Sequence, residues 1–184
     1  MDIDPDFQPL ETERLILRRS QPEDAEAIST YRSDPEVNRH QGWERTDVAG
    51  IREEIEVMAA RTPGEPGGWV QLSLLERDDG SLVGDVGFTH ADGEPGVIKI
   101  GYTVAPVFQG IGYASEAVAA IVAYAFERLG AKVVRAYASA ENIASIRVAE
   151  KAGMRLMERF EHHSGGETWH GVRYEVRRDG ASRS

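Results

Sequence analysis

The sequence predicts a mixed α/β (α+β) domain around a central, mostly antiparallel sheet, and three observations carry that reading. Short runs with apolar residues at period two are interspersed with segments spaced at the helical period. Residues 69–104 hold three β-type runs separated by Gly/Asp turns, an antiparallel meander. Only the strand, helix and strand within residues 97–139 read as a parallel crossover, which excludes regular βαβ winding.

Taken in order, Glu13-Arg-Leu-Ile-Leu-Arg-Arg19 puts Leu15 and Leu17 on one face and predicts a half-buried first strand. Ser20-Gln-Pro-Glu23 has capping-box spacing with Pro in the first turn, and Ala25, Ile28 and Tyr31 continue at helical intervals to about Ser33. A second helix, Asp47 to Ala60, carries Ile51, Ile55 and Met58 on one side behind the caps Thr46 and Asp47, and Thr62-Pro-Gly-Glu-Pro-Gly-Gly68 stops it. The meander strands are Trp69 to Glu76, Ser81 to Thr89 and Val97 to Val104. A strongly apolar helix from Ala114 to Leu129 closes at Gly130 in the C-cap position. Val133 to Ser139 is a strand, Ile143 to Ala152 a helix ended by Gly153, and Arg155 to Phe160 with Thr168 to Arg177 a final hairpin. The sum is seven strands and four helices in one domain spanning residues 1–184, with no repeat or linker in the pattern.

Composition narrows the function. A chain of 184 residues buries about 70% of its unfolded surface, so the core needs no disulfide or structural metal. The absence of Cys excludes thiol nucleophiles, cysteine-bound zinc and iron–sulfur clusters. The acidic start, Met1-Asp-Ile-Asp-Pro-Asp-Phe7, lacks the features of a secretory signal, and the longest apolar run, Ala117 to Phe126, is too short to span a bilayer. A cytoplasmic location is the expectation, with no membrane partner. Residues 1–80 hold 19 acids and 9 bases, whereas residues 81–184 hold 12 of each. Without a basic stripe, nucleic acid is not the expected partner, and the acidic part favours a cationic one.

The chemistry-bearing stretch is Gly101-Tyr-Thr-Val-Ala-Pro-Val-Phe-Gln-Gly-Ile-Gly-Tyr-Ala-Ser-Glu-Ala117, a strand, a proline turn, a glycine loop and a helix start. Gly110 and Gly112 let a diphosphate approach consecutive amides, and the following helix N-terminus supplies the attraction, which predicts an anion site over residues 109–115. A Walker loop fits poorly because no Lys lies in the loop. A dinucleotide fingerprint fits poorly, with Ser115 at its third small position and Lys132 near where an acid belongs.

A third pattern, Gln/Arg-x-x-Gly-x-Gly/Ala, is matched by Gln109, Gly112 and Ala114. Together with Glu11-Thr-Glu-Arg-Leu-Ile-Leu-Arg18, Pro22-Glu-Asp24 and Asn142-Ile-Ala-Ser-Ile-Arg-Val-Ala-Glu-Lys-Ala-Gly153, it makes the chain resemble the GCN5-related N-acetyltransferases (GNAT), and within them the RimJ/RimL-type branch. The resemblance covers nearly the whole chain. It implies a GNAT-like twisted sheet in which the strand ending at Val104 splays from Val133 to Ser139 to admit acetyl-CoA. The pantetheine would pair with backbone at Tyr102, Thr103 and Val104, and the diphosphate with amides of Gln109, Gly110, Ile111, Gly112, Tyr113, Ala114 and Ser115. Asn142 and Ser145 would face the cofactor near its sulfur, and Lys151 and Arg147 are candidates for the nucleotide phosphates. No metal is implied, and a homodimer is an option within the family.

The implied reaction is direct attack of a neutral amine on the thioester, with a backbone N–H near Tyr102 polarising the carbonyl. Two familiar family side chains are absent: the tyrosine often used as general acid corresponds to Ala149, and the acid on the strand before the loop is replaced by Ile98-Lys99. In the RimJ/RimL-type branch the Ser145 position can take the acid role, which makes Ser145 the candidate general acid. Asp85, His40, Glu44 and Glu76 are candidate bases bordering the acceptor cleft, with a water relay as the alternative, and Trp43 and Trp69 are candidate walls. His162, His163 and His170 lack the spacing and carboxylate context of a metal site. The expected activity is acetyl transfer to a primary amine: a protein N-terminus or a small cationic amine such as a polyamine or aminoglycoside. The missing tyrosine and acid leave a non-catalytic acyl-CoA-binding module as the alternative.

Overall fold

Leu15 and Leu17 are fully buried, as their spacing predicts, and their strand belongs to an eight-stranded sheet. The computed structural model describes residues 2–41, 43, 45–164 and 167–178, without the side chains of His162, Ser164 and Glu167. In chain order the strands are β1 (Leu10–Glu11), β2 (Leu15–Arg19), β3 (Val70–Glu76), β4 (Leu82–His90), β5 (Val97–Val104), β6 (Val133–Ser139), β7 (Arg155–Ser164) and β8 (Glu167–Arg177). Their order across the sheet is β1-β2-β3-β4-β5-β6-β8-β7. Every neighbouring pair is antiparallel except β5 and β6, the predicted crossover. The helices are α1 (Ala25–Arg32), α2 (Pro35–Asn38), α3 (Val48–Ala59), α4 (Tyr113–Glu127) and α5 (Ile143–Lys151).

The mixed α/β class holds, with one more strand and one more helix than the patterns showed. The additions, β1 and α2, have two and four residues, too few to display a period. The capping box lies one residue later than predicted: the Gln21 amide donates to Asp24 Oδ2 at 2.9 Å, and Pro22–Asp24 form a 3₁₀ turn before α1. Ser20 instead meets the Ser73 hydroxyl at 2.8 Å. Asp47 caps α3 as expected, accepting from the Gly50 amide at 2.9 Å. The final hairpin extends to Ser164 and Glu167, beyond Phe160 and Thr168, because cross-strand pairing continues through His162 and Trp169.

Helices cover both faces of the sheet. Alternate residues of a strand face opposite sides: the Tyr102 hydroxyl reaches α5, while the neighbouring Thr103 meets Gln41 from the segment after α2. On the α4 side, Ala117, Val118, Ile121 and Ala125 share one core with Leu17, Val86, Ile98 and Ile100. On the other side Ala25, Ile28, Tyr31, Ile51 and Ile55 bind α1 to α3. The acceptor side is thus a separate layer hung on the sheet.

Asp24 ties that layer down. Its carboxylate receives both guanidinium arms of Arg18 at 2.7 and 2.8 Å, the Gln21 amide at 2.9 Å and the Ser73 hydroxyl at 2.7 Å. Burial alone would push this carboxyl up, but the Arg18 pair, the amide and the hydroxyl together hold it below the ordinary carboxylate value. Because the unfolded chain binds that proton more readily, the contribution is present above the unfolded value near 3.8 and is lost as pH falls through the lower folded value. Asp24→Asn should therefore cost about 2 kcal/mol or more at pH 7, by leaving Arg18 without its charge. The deficit should shrink in acid. Urea melts of both proteins from pH 3 to 7 check this, and a deficit independent of pH would contradict it. Asp85 (described below) has a raised value and acts in the opposite direction, but it is common to both proteins.

Candidate active site

The parallel ladder between β5 and β6 stops early. Val97 to Ile100 pair with Val133 to Ala136, after which β5 follows β4 and β6 follows β8. Gly101 to Val104 and Tyr137 to Ser139 are left facing a gap, the predicted splay. Hydrogen bonding in an antiparallel pair alternates, and the Ala105 amide bonds the Val83 carbonyl at 2.9 Å, so Thr103 and Gly101 are in phase to bond β4. Tyr102 and Val104 consequently direct their backbone groups into the gap. Gln109 Nε2 donates to the Val104 carbonyl at 2.9 Å, and Gln41 Nε2 approaches that of Tyr102 at 3.5 Å. The two N–H groups remain on offer to a ligand. The Gln109 side chain is therefore a tether between loop and strand, and the residue's backbone amide, expected to hold the diphosphate, instead closes the Pro106–Phe108 turn on the Pro106 carbonyl at 3.2 Å.

Below the gap, Gly110 and Gly112 adopt φ of +81° and +98°, a region open to glycine and strained for other residues. Gly112 is the N-cap of α4, and the Glu116 amide makes the first intrahelical bond, to its carbonyl at 3.1 Å. Among the described residues, the amides of Gly110, Ile111, Gly112, Tyr113, Ala114 and Ser115 have no protein acceptor. A Cβ at Gly110 would meet nothing within 4 Å, so the approach to the loop is clear. These features fit a diphosphate. The sequence pattern did not show what braces the loop: Arg14 Nη1 grips the Ile111 carbonyl at 2.9 Å while its Nε bonds Glu116 at 2.7 Å. Glu116 also accepts from Thr12 at 2.6 Å. The Tyr113 ring turns away, with Arg14 above it at 4.8 Å and its hydroxyl on Glu76.

At the gap's mouth the Ser145 hydroxyl donates to Tyr102 Oη at 3.0 Å, and the Tyr102 hydroxyl donates to the Ser145 carbonyl at 2.8 Å. Burial pushes the Tyr102 phenol up to about 12, with the Ser145 bond opposing, so it stays protonated at neutral pH. Asn142 caps α5, its Oδ1 accepting from the Ser145 amide at 3.0 Å. One function of Asn142 is thus to fix the turn that presents Ser145. Lys151 and Arg147 are exposed on α5, with no ion pair among the described residues.

On the other face lies a cleft of about 620 Å³ reaching Gly101, Tyr102 and Thr103 at the splay. Trp43 and Trp69 line it, as predicted, with Val57 and Met58. Trp69 lies flat against the sheet because residue 87 has no side chain: a Cβ at Gly87 would stand 2.2 Å from the indole nitrogen. The indole N–H donates to Gln71 Oε1 at 2.6 Å, and Gln71 donates onward to Asp85. Asp85 also accepts from the Tyr31 hydroxyl and lies 3.9 Å from Arg32, whose guanidinium sits 4.6 Å above the Trp43 ring. Burial pushes the Asp85 carboxyl above its ordinary value, against the pull of Arg32, Tyr31 and Gln71.

Of the four candidate bases, Asp85 lines the cleft. Glu76 does not belong there: it sits at the far end of β3, bound by the Tyr113 hydroxyl on the α4 side. His40 Nε2 accepts from Arg39 at 3.0 Å and is not among the cleft residues. Glu44 lies outside the described residues. The described residues hold no group of three or more His, Cys, Asp or Glu placed to bind a metal. Arg32, Gln71 and Tyr31 were missed. For Gln71 the visible signal was polar residues at period two inside apolar strands, Val70-Gln-Leu-Ser-Leu74 facing Val83-Gly-Asp-Val-Gly-Phe88, a pattern that does not extend to Arg32 and Tyr31 on α1.

A splayed parallel pair beside a glycine loop and helix N-terminus defines a class, and comparison with known proteins bears this out. The Acetyltransferase (GNAT) domain family matches residues 14–155, and the chain belongs to that family. The uncharacterized N-acetyltransferase YoaA of Bacillus subtilis (strain 168) is 33% identical over 163 residues, 86% of this chain and 91% of the relative. The crystal structure of a GNAT-family acetyltransferase from Bacillus anthracis superimposes with a TM-score of 0.81 at 28% identity, over 92% of this chain and 98% of that one. A RimL structure, a ribosomal L7/L12 alpha-N-protein acetyltransferase in complex with coenzyme A, shares the fold with a TM-score of 0.79 at 17% identity, over 95% of this chain and all of that one (100%). The family uses acetyl-CoA. No helix among the described residues is long and apolar enough to cross a membrane.

Proposed function

We propose that this chain, as one domain, transfers the acetyl group of acetyl-CoA to a primary amine, in the manner of the RimJ/RimL-type branch and in a cytoplasmic setting. The acceptor is a protein N-terminal amine or a small amine. The observation that carries this is the row of six unpartnered amides, Gly110 to Ser115, at the N-terminus of α4 beside the splay. Backbone N–H groups of Tyr102 and Val104 would hold the pantetheine arm and polarise the reacting carbonyl. The cofactor supplies an activated thioester, whose acetyl carbon exchanges its bond to sulfur for one to the amine nitrogen.

The chain's own residues then manage position and protons. Ser145 holds a hydroxyl proton at the mouth of the gap, oriented by Tyr102, and provides it to the departing sulfur while its oxygen takes a proton back from water. Asp85 has both oxygens engaged, by Gln71 on one and by Tyr31 and Arg32 on the other. It positions Arg32, and the amine's proton passes to water in the cleft. The test is thiol release from acetyl-CoA with a panel of primary amines. Acceptor-dependent release supports the reading, and tight acetyl-CoA binding without release for any amine would reduce the domain to a binding module.

A further inference from the structure

Charge in the acceptor cleft is shared evenly: three arginines, Arg32, Arg45 and Arg61, face three acids, Glu53, Glu54 and Asp85. The acids are already matched. Glu53 receives Arg45 at 2.5 Å, Glu54 receives Arg32 at 3.2 Å, and Asp85 has Arg32 at 3.9 Å besides Tyr31 and Gln71. Arg61 alone of the three has no carboxylate within ion-pair distance among the described residues. Among the described residues its guanidinium makes a single hydrogen bond, to the Gly67 carbonyl, 3.5 Å from Nη1. A guanidinium has five N–H donors in a flat fork suited to carboxylate or phosphate.

The position of Arg61 is built. Its amide closes the end of α3 on the Met58 carbonyl at 3.1 Å, and Arg19 clamps the Arg61 and Met58 carbonyls, each at 2.8 Å. The side chain lies on Gly68, where a Cβ would stand 2.5 Å from Cδ and 2.4 Å from Nη1. Trp43, Trp69, Val57 and Met58 line the same cleft with apolar surface, together with Gly101, Tyr102 and Thr103 of β5. A polycation entering the cleft would find its acids spoken for. An amine on an apolar body with an anionic group would find a donor fork waiting.

We propose that Arg61 is an anion-recognition residue of the acceptor cleft, so that the acceptor carries a carboxylate or phosphate besides its primary amine. This rests on the reading of the cleft as the acceptor site. The test is calorimetric binding to the protein saturated with CoA, which cannot react. The probes are 4-(2-aminoethyl)benzoate against 4-(2-aminoethyl)benzamide, and tyramine phosphate against tyramine. In the wild type the anionic member of at least one pair should bind about tenfold tighter or more, and in Arg61→Met that ratio should fall to about one. The pair that discriminates tells carboxylate from phosphate. A role for Arg61 confined to the end of α3 would lower the melting temperature and leave the ratio intact, which overturns the proposal. So would equal binding within both pairs, or no binding of any probe. A ratio that depends on Arg61 without thiol release from acetyl-CoA for any amine would preserve this inference and remove the catalytic reading.

Discussion

Replacing Gly112 by valine is expected to weaken acetyl-CoA binding by about 100-fold or more while leaving the protein folded. Residue 112 sits at φ +98° as the N-cap of α4, a conformation that costs an L-residue about 1–2 kcal/mol and a β-branched one more. A Cβ would also approach Arg14 Nη2 to 3.2 Å, the side chain that holds the Ile111 carbonyl. Relief of that strain rotates the amides from Gly110 to Ser115 away from a common point. Each hydrogen bond to a charged group contributes about 1.5–3 kcal/mol, so misplacing two of them accounts for the expected loss. Calorimetry gives the affinity, and a thermal melt of the same sample shows the domain intact. Gly112→Ala, with less crowding, should fall between the two proteins. Affinity unchanged in both variants would mean that the loop does not hold the diphosphate.

The second large effect is expected at Ser145. Ser145→Ala should lower kcat by about 100-fold, in the range that a positioned acid contributes, and should leave the acetyl-CoA Kd within about twofold, because the lost interaction acts on the leaving sulfur. Tyr102→Phe should lower kcat less, by about tenfold, since the serine proton remains but loses the phenol oxygen that orients it at 3.0 Å. Steady-state thiol release at saturating acetyl-CoA reads both values. If Ser145→Ala keeps kcat within about twofold of wild type, solvent protonates the sulfur and the serine only caps and packs.

Features that depend on local backbone chemistry were legible in the sequence. Gly110, Gly112, Gly130 and Gly153 all occupy positive φ, and each marked a loop or helix end before any contact was known. Leu15 and Leu17 read as a strand face, and Asp47 as a cap, because period and capping act over a few residues. The splay followed from one crossover unit matched to a family pattern. Groups joined across long chain separations were not legible. Tyr31, Gln71 and Asp85 come from one helix and two strands, and Tyr102 reaches Ser145 across 43 residues. Glu76 shows the same limit in reverse. As a carboxylate at a strand end it looked available to the cleft, yet the sheet's two faces separate it from Asp85 and give it to Tyr113. The acidic N-terminal part suggested a cationic acceptor, but its cleft acids are paired with arginines from the same part of the chain.

The central claim is that the amides of Gly110 to Ser115 and the open edge at Tyr102 and Val104 form one site for acetyl-CoA. Titration of the wild-type protein with acetyl-CoA, repeated with Gly112→Val, tests it most directly. Saturable one-to-one binding that collapses in the variant is the predicted result. No binding heat in the wild type, or equal affinity in the two proteins, would contradict it.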